Sequence, residues 1–263
     1  HLSAIKGGRL AGAVQPARLW TFAISDVPGD DLSVIASGPT VPDPTTFADA
    51  LEILRRYQIQ PTPAIQALLE AAEEETPKPR ENIFSRNQVR LIATPQLMLE
   101  AAAKEAEKFG ITPIILSDRI EGEAREVAKV HAAIAKQIKH RDQPINAPAV
   151  ILSGGETTVT VRGNGKGGRN AEFILSLLEA LQGEEGISAI AVDTDGIDGT
   201  EDNAGAWIDQ NSLLKAKQLN LKPNDFLANN DAYSFFQQLD QLVLTGPTMT
   251  NVNDFRAIFV DQP

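Results

Sequence analysis

The sequence predicts an α/β protein: an incomplete, mostly parallel, doubly wound sheet followed by a second, smaller α/β domain. Three observations carry this. From residue 89 onward, strand-length runs of β-branched and apolar residues alternate with segments whose apolar positions recur at helical spacing, the pattern of βαβ units. The apolar runs at 150–152 and 187–192 empty into loops rich in glycine or carboxylates, which is where open α/β sheets hold ligands. A polar stretch at 140–147 containing Pro144 interrupts the alternation, and it places a domain boundary between residues 1–145 and 146–263.

Each element has a local cause. Near its start the sequence carries Lys6-Gly7-Gly8-Arg9, which reads equally as an anion contact or as a helix start with solvated cations. Residues 18–25 form a strand running into Asp26-Val27-Pro28-Gly29-Asp30-Asp31, either a ligand edge or a turn. The segment 35–44 is too rich in proline for helix or central strand, and it carries Ser37 and Thr40. Thr45 or Thr46 caps a helix to about residue 57, with Phe47, Leu51 and Leu54 on one face. A second helix follows Pro63. Then come a strand at 89–93, a helix at 95–109 closed by Gly110, a strand at 112–117 and a helix at 121–139. Beyond the boundary, strand runs at 150–152 and 157–161 precede a helix with Phe173, Ile174, Leu177, Leu178 and Leu181 on one stripe. The remaining elements are a strand at 187–192, helices at 211–219 and 232–239, the latter capped by Asn229-Asn230-Asp231, and strands at 242–244 and 255–260.

Composition narrows the function. With 263 residues and 42% hydrophobic content the chain buries an ample core. A net charge of −11 argues against a nucleic-acid surface, and no apolar run approaches the ~20 residues that span a bilayer. Without cysteine there is no disulfide, thiolate metal site or cysteine nucleophile. The absence of a secretory signal points to the cytoplasm. His131 and His140 sit among Lys and Arg on one helical segment and are expected on the solvated surface.

The chemistry concentrates after residue 150. Gly163-Asn164-Gly165-Lys166-Gly167-Gly168-Arg169-Asn170 lies between a strand and a helix, with Lys166 and Arg169 placing positive charge beside a helix N-terminus. That outlines a phosphate cradle. The spacing also satisfies G-x-G-x-x-G, so a dinucleotide loop or a ligand-free hairpin stay open, although Asp193 comes late for the ribose acid of that fingerprint. Asp193, Asp195 and Asp198 follow a strand and suit Mg²⁺ held by one or two carboxylates, or simply a turn. Hydroxyl and amide groups at Ser37, Thr40, Thr245, Asn251 and Asn253 suit a small polar substrate, and the set as a whole suits phosphoryl transfer.

Six segments in order, HLSAIKGGRLA, SDVPGDDLSVIASGPTVPDP, ILSGGETTVTVRGNGKGGRNAEF, DTDGIDGTEDNAGA, NNDAYSFF and TGPTMTNVND, closely resemble the glycerate 2-kinases of the MOFRL type, whose members are also labelled hydroxypyruvate reductases. The resemblance implies a Rossmann-like domain over 1–145, a MOFRL-like domain over 146–263, and phosphorylation of D-glycerate to 2-phosphoglycerate with ATP and Mg²⁺. It implies catalytic roles for Arg169 and Lys6, substrate binding by Ser37, Thr40, Asn251 and Asn253, and metal binding by Asp193 and Asp195. Nucleotide binding falls to Gly154, Gly155, Gly165, Lys166, Gly168 and Thr245. The alternatives are an NAD(P)H-dependent reductase of hydroxypyruvate and a non-catalytic nucleotide-binding fragment. Family members begin with a further α/β region, so an amino-terminal portion of the same enzyme is an expected partner, beside a small hydroxy acid and a further copy of the chain in a homo-oligomer. Met249 stands where the family usually has Gly, and Ala171 where it usually has Gln, which puts the turn at Met249 in question.

Overall fold

A computed structural model describes residues 1–262, and the chain's contacts fall into two units, His1–Ile92 and Ala93–Pro263. The first unit holds α1 (Arg9–Ala13), β1 (Leu19–Ile24), α2 (Phe47–Arg56), α3 (Pro63–Ala71) and β2 (Asn87–Ala93), the last residue of β2 being the first of the second unit. Thr46 starts α2 through a capping box: its hydroxyl accepts from the Asp49 N–H, and the Asp49 carboxylate accepts from the Thr46 N–H. Thr62 caps α3 with Pro63 at its first turn. The sheet here has two strands, β1 and β2, fewer than the doubly wound sheet expected over 1–145. Strand β1 turns Leu19, Thr21 and Ala23 inward and leaves Trp20 and Phe22 exposed.

The second unit runs α4 (Pro95–Lys108), β3 (Thr112–Glu123), α5 (Ala124–Arg141), β4 (Ala149–Thr158), α6 (Arg169–Leu181), β5 (Ile187–Asp193), β6 (Gly205–Ile208), α7 (Ser212–Gln218), α8 (Pro223–Ala228), α9 (Ala232–Leu239), β7 (Leu242–Val243) and β8 (Asp254–Val260). Its six strands lie in the order β3-β4-β8-β5-β6-β7. Only β3 and β4 pair in parallel; β8 is antiparallel to both β4 and β5, and the pairs β5–β6 and β6–β7 are antiparallel. The α/β class holds, but this sheet is mixed, because the last strand of the chain inserts between β4 and β5.

The boundary expected near residue 145 is not a break in the fold. β3 and β4 lie on either side of it and pair in parallel, Thr112 opposite Ala149 and Ile115 opposite Leu152. The polarity of 140–147 reflects a surface connection between α5 and β4. Two further expectations change for one reason: residues 120–123 continue along 155–158. The helix expected at 121 therefore begins at Ala124, and β4 joins the run at 150–152 to the first two residues of the run at 157–161, with 159–161 outside it. The short β6 and α8 were not anticipated.

Strand β4 is buried along most of its length and packs both ways. Val150 and Leu152 meet Leu99 of α4, while Ile151 joins Phe173, Ile174 and Leu177 of α6, Ala128 and Ala132 of α5, and Ile258 of β8. His131 belongs to this core. It is 2% exposed, its Nδ1–H donates to Val127 O (2.9 Å), its Nε2 lies 3.0 Å from Ser153 Oγ, and it meets Phe173 edge-on. The solvated position expected for it is thus corrected; the cations flanking it face other directions on the helix. His140 is exposed and pairs with Glu184. Among the described residues, no helix is long and apolar enough to cross a membrane.

Candidate functional site

Three neighbouring strands deliver acids to one end of the sheet. Gly155 of β4 and Asp193 of β5 both lie opposite Asp254 of β8. Gly168 is the residue before α6, so Arg169 occupies the first helical position, facing this edge. Its Nε donates to Asp254 Oδ1 at 2.6 Å, one terminal nitrogen to Asp193 Oδ2 at 2.7 Å, and the other to Glu156 Oε1 at 3.2 Å. Asp254 is fully buried and also accepts from Asn170 Nδ2 (2.8 Å), from the Thr157 N–H (3.2 Å) and from Arg256, itself fully buried beneath the Phe173 ring. Two guanidinium groups thus share the acids, satisfying the condition that buried charge be paired.

Asp198 does different work. Its two oxygens accept from the N–H groups of Asn170 (2.9 Å) and Ala171 (2.8 Å), capping the first turn of α6. Burial pushes this carboxyl up to about 6, against those donors. Burial likewise raises Asp193, against the pull of the Asp195 N–H and Arg169. Arg169 is held above its ordinary range: burial opposes its charge, and Asp254, Asp193 and Glu156 outweigh it.

The glycine-rich loop bounds a cavity of about 700 Å³, lined among others by Thr157, Val159, Val161, Gly168, Arg169 and Glu172. Its backbone donors face the protein. Asn229 O accepts from Gly165 N–H (2.9 Å), Asn229 Oδ1 from Asn164 N–H (3.1 Å), and Asp231 Oδ1 from Lys166 N–H (2.9 Å). The glycines are needed for the same approach. A Cβ on Gly165 would lie 2.4 Å from Asp231 Cβ, and one on Gly168 2.3 Å from Asp198 O. The cradle of free N–H groups expected at Gly165 and Lys166 is therefore corrected: the Asn229–Asp231 segment fills it. The Lys166 ammonium is exposed and reaches Glu201 at 3.3 Å.

Other expected site residues sort as follows. Gly154 and Gly155 are not loop residues; they sit within β4, paired with Phe255 and Asp254. Thr245 is exposed on a loop that meets the acids, where Thr248 N–H donates to Asp195 O at 2.9 Å. Asn251 Oδ1 accepts from the Asn253 N–H (2.9 Å), and buried Asn253 accepts at its carbonyl from Thr194 N–H (3.1 Å) and Oγ1 (2.7 Å); both shape the turn. Met249 holds φ at 62° and is 91% exposed, a left-handed conformation natural to the Gly usual there. Ala171 is buried, its N–H on Asp198. In the first unit, Lys6 and Ser37 lie on adjoining loops joined by Gly7 N–H to Ser37 O (2.9 Å) and Gly8 N–H to Gly38 O (2.8 Å). Thr40 is buried and accepts from Thr21 Oγ1 (2.9 Å), so it faces the interior and not a substrate. Asp254, Arg256 and Asn230 were missed as site residues.

Among the described residues, no group of three or more His, Cys, Asp or Glu is arranged to hold a metal ion. Asp193 is engaged by Arg169 and by the Asp195 N–H, while Asp195 gives one oxygen to the Ile197 N–H (2.8 Å). The chain accordingly offers Asp195 as one open carboxylate, which suits Mg²⁺ only as an ion completed by phosphate oxygens and water.

An arginine ringed by acids beside a cavity at strand ends occupies the place where open α/β folds hold their ligands. The MOFRL family model matches residues 149–254, and a domain of unknown function, DUF4147, matches 1–70. A putative hydroxypyruvate reductase of Agrobacterium vitis is 53% identical over 99% of this chain and 59% of its own length; a D-glycerate 2-kinase of Thermotoga maritima is 41% identical over 97% and 59%. The crystal structure of glycerate kinase from Thermotoga maritima superposes with a TM-score of 0.90 at 40% identity, covering 99% of this chain and 61% of that one. The chain belongs to the MOFRL-type glycerate 2-kinase family, and it spans about 60% of the length of these relatives. The MOFRL match begins at residue 149, the first residue of β4.

Proposed function

We propose that this chain carries the phosphoryl-transfer site of an enzyme that phosphorylates D-glycerate at its 2-hydroxyl with ATP and Mg²⁺. In that reaction the hydroxyl oxygen attacks the γ-phosphorus, the bond from that phosphorus to the bridging β-phosphate oxygen breaks, ADP leaves with that oxygen, and the hydroxyl proton is released. The carrying observation is Arg169. Two of its nitrogens are fixed by buried Asp254 and Asp193, while the third rests on Glu156, a half-exposed partner at the longest of the three distances. A phosphoryl oxygen can replace Glu156 without dismantling the rest, so the guanidinium is aimed before substrate arrives, which is the form of electrostatic stabilisation phosphoryl transfer uses. Mg²⁺, when bound, would neutralise phosphate charge beside Asp195. Asn251 and Asn253 are assigned to shaping the turn beside Thr194.

The reductase reading draws on the names of relatives such as the Agrobacterium vitis protein. Against it weighs the occupancy of the G-x-G-x-x-G loop and of the first turn of α6, since a dinucleotide pyrophosphate requires those N–H groups. Paired assays on the natural protein containing this chain decide the matter: ADP release with D-glycerate and ATP, and NADH or NADPH oxidation with hydroxypyruvate. ADP release is expected; nicotinamide oxidation without it would overturn the proposal.

A further inference from the structure

Asn230 is the most fully used polar side chain of the cavity wall. It is 7% exposed. Its Oδ1 accepts from the N–H groups of Arg162 (2.7 Å) and Gly163 (3.0 Å), and its Nδ2 donates to Thr160 O (3.4 Å) and Glu172 Oε2 (3.0 Å). A side-chain amide has two donor hydrogens and two acceptor lone pairs, and all four are engaged. The residue holds φ at 53°, a conformation asparagine tolerates better than most. Glu172, 2% exposed on α6, is fixed in turn by Arg125 of α5, whose Nε reaches it at 2.8 Å while Nη2 also donates to Leu227 O at 3.1 Å. The loop thus connects, through one amide, to the ion pair between α5 and α6.

We propose that Asn230 is the positioning residue of the glycine-rich loop: it fixes residues 160–163 to the helical layer and thereby sets the wall against which the nucleotide lies. The nucleotide part rests on the phosphoryl-transfer reading above. Neutral bonds suit this task, because they fix shape without adding charge to a cavity already lined by Glu121, Glu156 and Glu172. The donor on Asn230 is specific: an acid of the same size would keep the acceptor for Arg162 and Gly163 but turn a second carboxylate toward Glu172.

The test uses three variants of the natural protein containing this chain. Asn230→Gly removes the side chain and keeps the positive φ without strain. Asn230→Asp reverses the donor toward Glu172. Asn230→Asp combined with Glu172→Gln restores a donor–acceptor pair, since the new amide can donate to the aspartate while its carbonyl still accepts from Arg125. Amide hydrogen exchange at residues 162–166, read without ligand, should quicken about tenfold or more in the two single variants, a decade per ~1.4 kcal/mol of lost hydrogen bonding. The KM for ATP should rise about tenfold with kcat within about threefold, as loss of uniform binding requires, and the double variant should recover both. Unchanged exchange in Asn230→Gly, or a double variant no better than Asn230→Asp, would overturn the clamp. Quickened exchange with an unaltered KM for ATP would overturn the nucleotide wall. If the wild type binds no ATP, the phosphoryl-transfer reading fails, and exchange still decides the clamp.

Discussion

Two walls of one cavity are held by different physics. On the loop side, residues 162–166 hang on neutral acceptors of Asn229 and Asn230 and on one carboxylate, Asp231. On the helix side, the start of α6 is held by charge: Arg169 and Arg256 against Asp254, Asp193 and Glu156, with Asp198 capping the turn. The neutral wall defines shape and adds little field. The charged wall defines field, and its members depend on one another, because removing one leaves another buried and unpaired.

The largest test of that contrast is Asp254→Ala. Arg256 is fully buried and would lose its nearest counter-charge, so the stability in urea unfolding should fall by about 3–5 kcal/mol. A loss below about 1 kcal/mol would mean that the charged wall is not mutually dependent.

A pH series tests the layer beneath it. Burial pulls the His131 imidazole down to about 4 from its ordinary 6.5. Between those values the unfolded chain holds more protons than the folded one, so stability from this residue is complete above pH 6.5 and is lost as pH falls toward 4. The shift allows roughly 3 kcal/mol at most. Relative to His131→Gln, the wild type should lose stability progressively over that window in denaturant titrations; parallel pH curves would remove the assignment.

The neutral wall should respond to volume and not to charge. Gly165→Ala places a Cβ against Asn229 and Asp231 and should cost about 1–3 kcal/mol, as overpacking does. Lys166→Ala on the same loop removes an exposed pair with Glu201 and should change stability by less than about 0.5 kcal/mol. Comparable losses from the two would show that the loop is held electrostatically. Away from both walls, Met249→Gly relieves a left-handed methionine at a solvent-facing turn and should raise the melting temperature, by a free-energy gain of about 1 kcal/mol. A lower melting temperature would place a stabilising role on the thioether.

Legibility followed locality. The capping box at Thr46, the proline start of α3 and the apolar stripe of α6 appear in the structure as their sequences announce, because each depends on residues within a turn or two of chain. The place of Arg169 at a strand–loop–helix junction was readable; its three acidic partners were not. Asp254 and Arg256 alternate with Phe255 and Ala257, which reads as a polar face turned to water. With α6 covering that face they are instead the buried ones. His131 misled in the same way, its helix neighbours being polar while its own face meets Phe173 and Ser153.

The sequence by itself determined the α/β class, most element positions and the family, since those rest on periodicity, turn residues and contiguous motifs. Only the tertiary structure decided the insertion of β8 between β4 and β5, the continuity of the sheet past residue 145, and the partners of the glycine loop. Each of these joins segments far apart in the chain, Asn229 to Gly165 or Asp254 to Arg169. A donor's spacing shows that it needs an acceptor; which acceptor it finds, ligand or protein, depends on what the remainder of the chain packs against it.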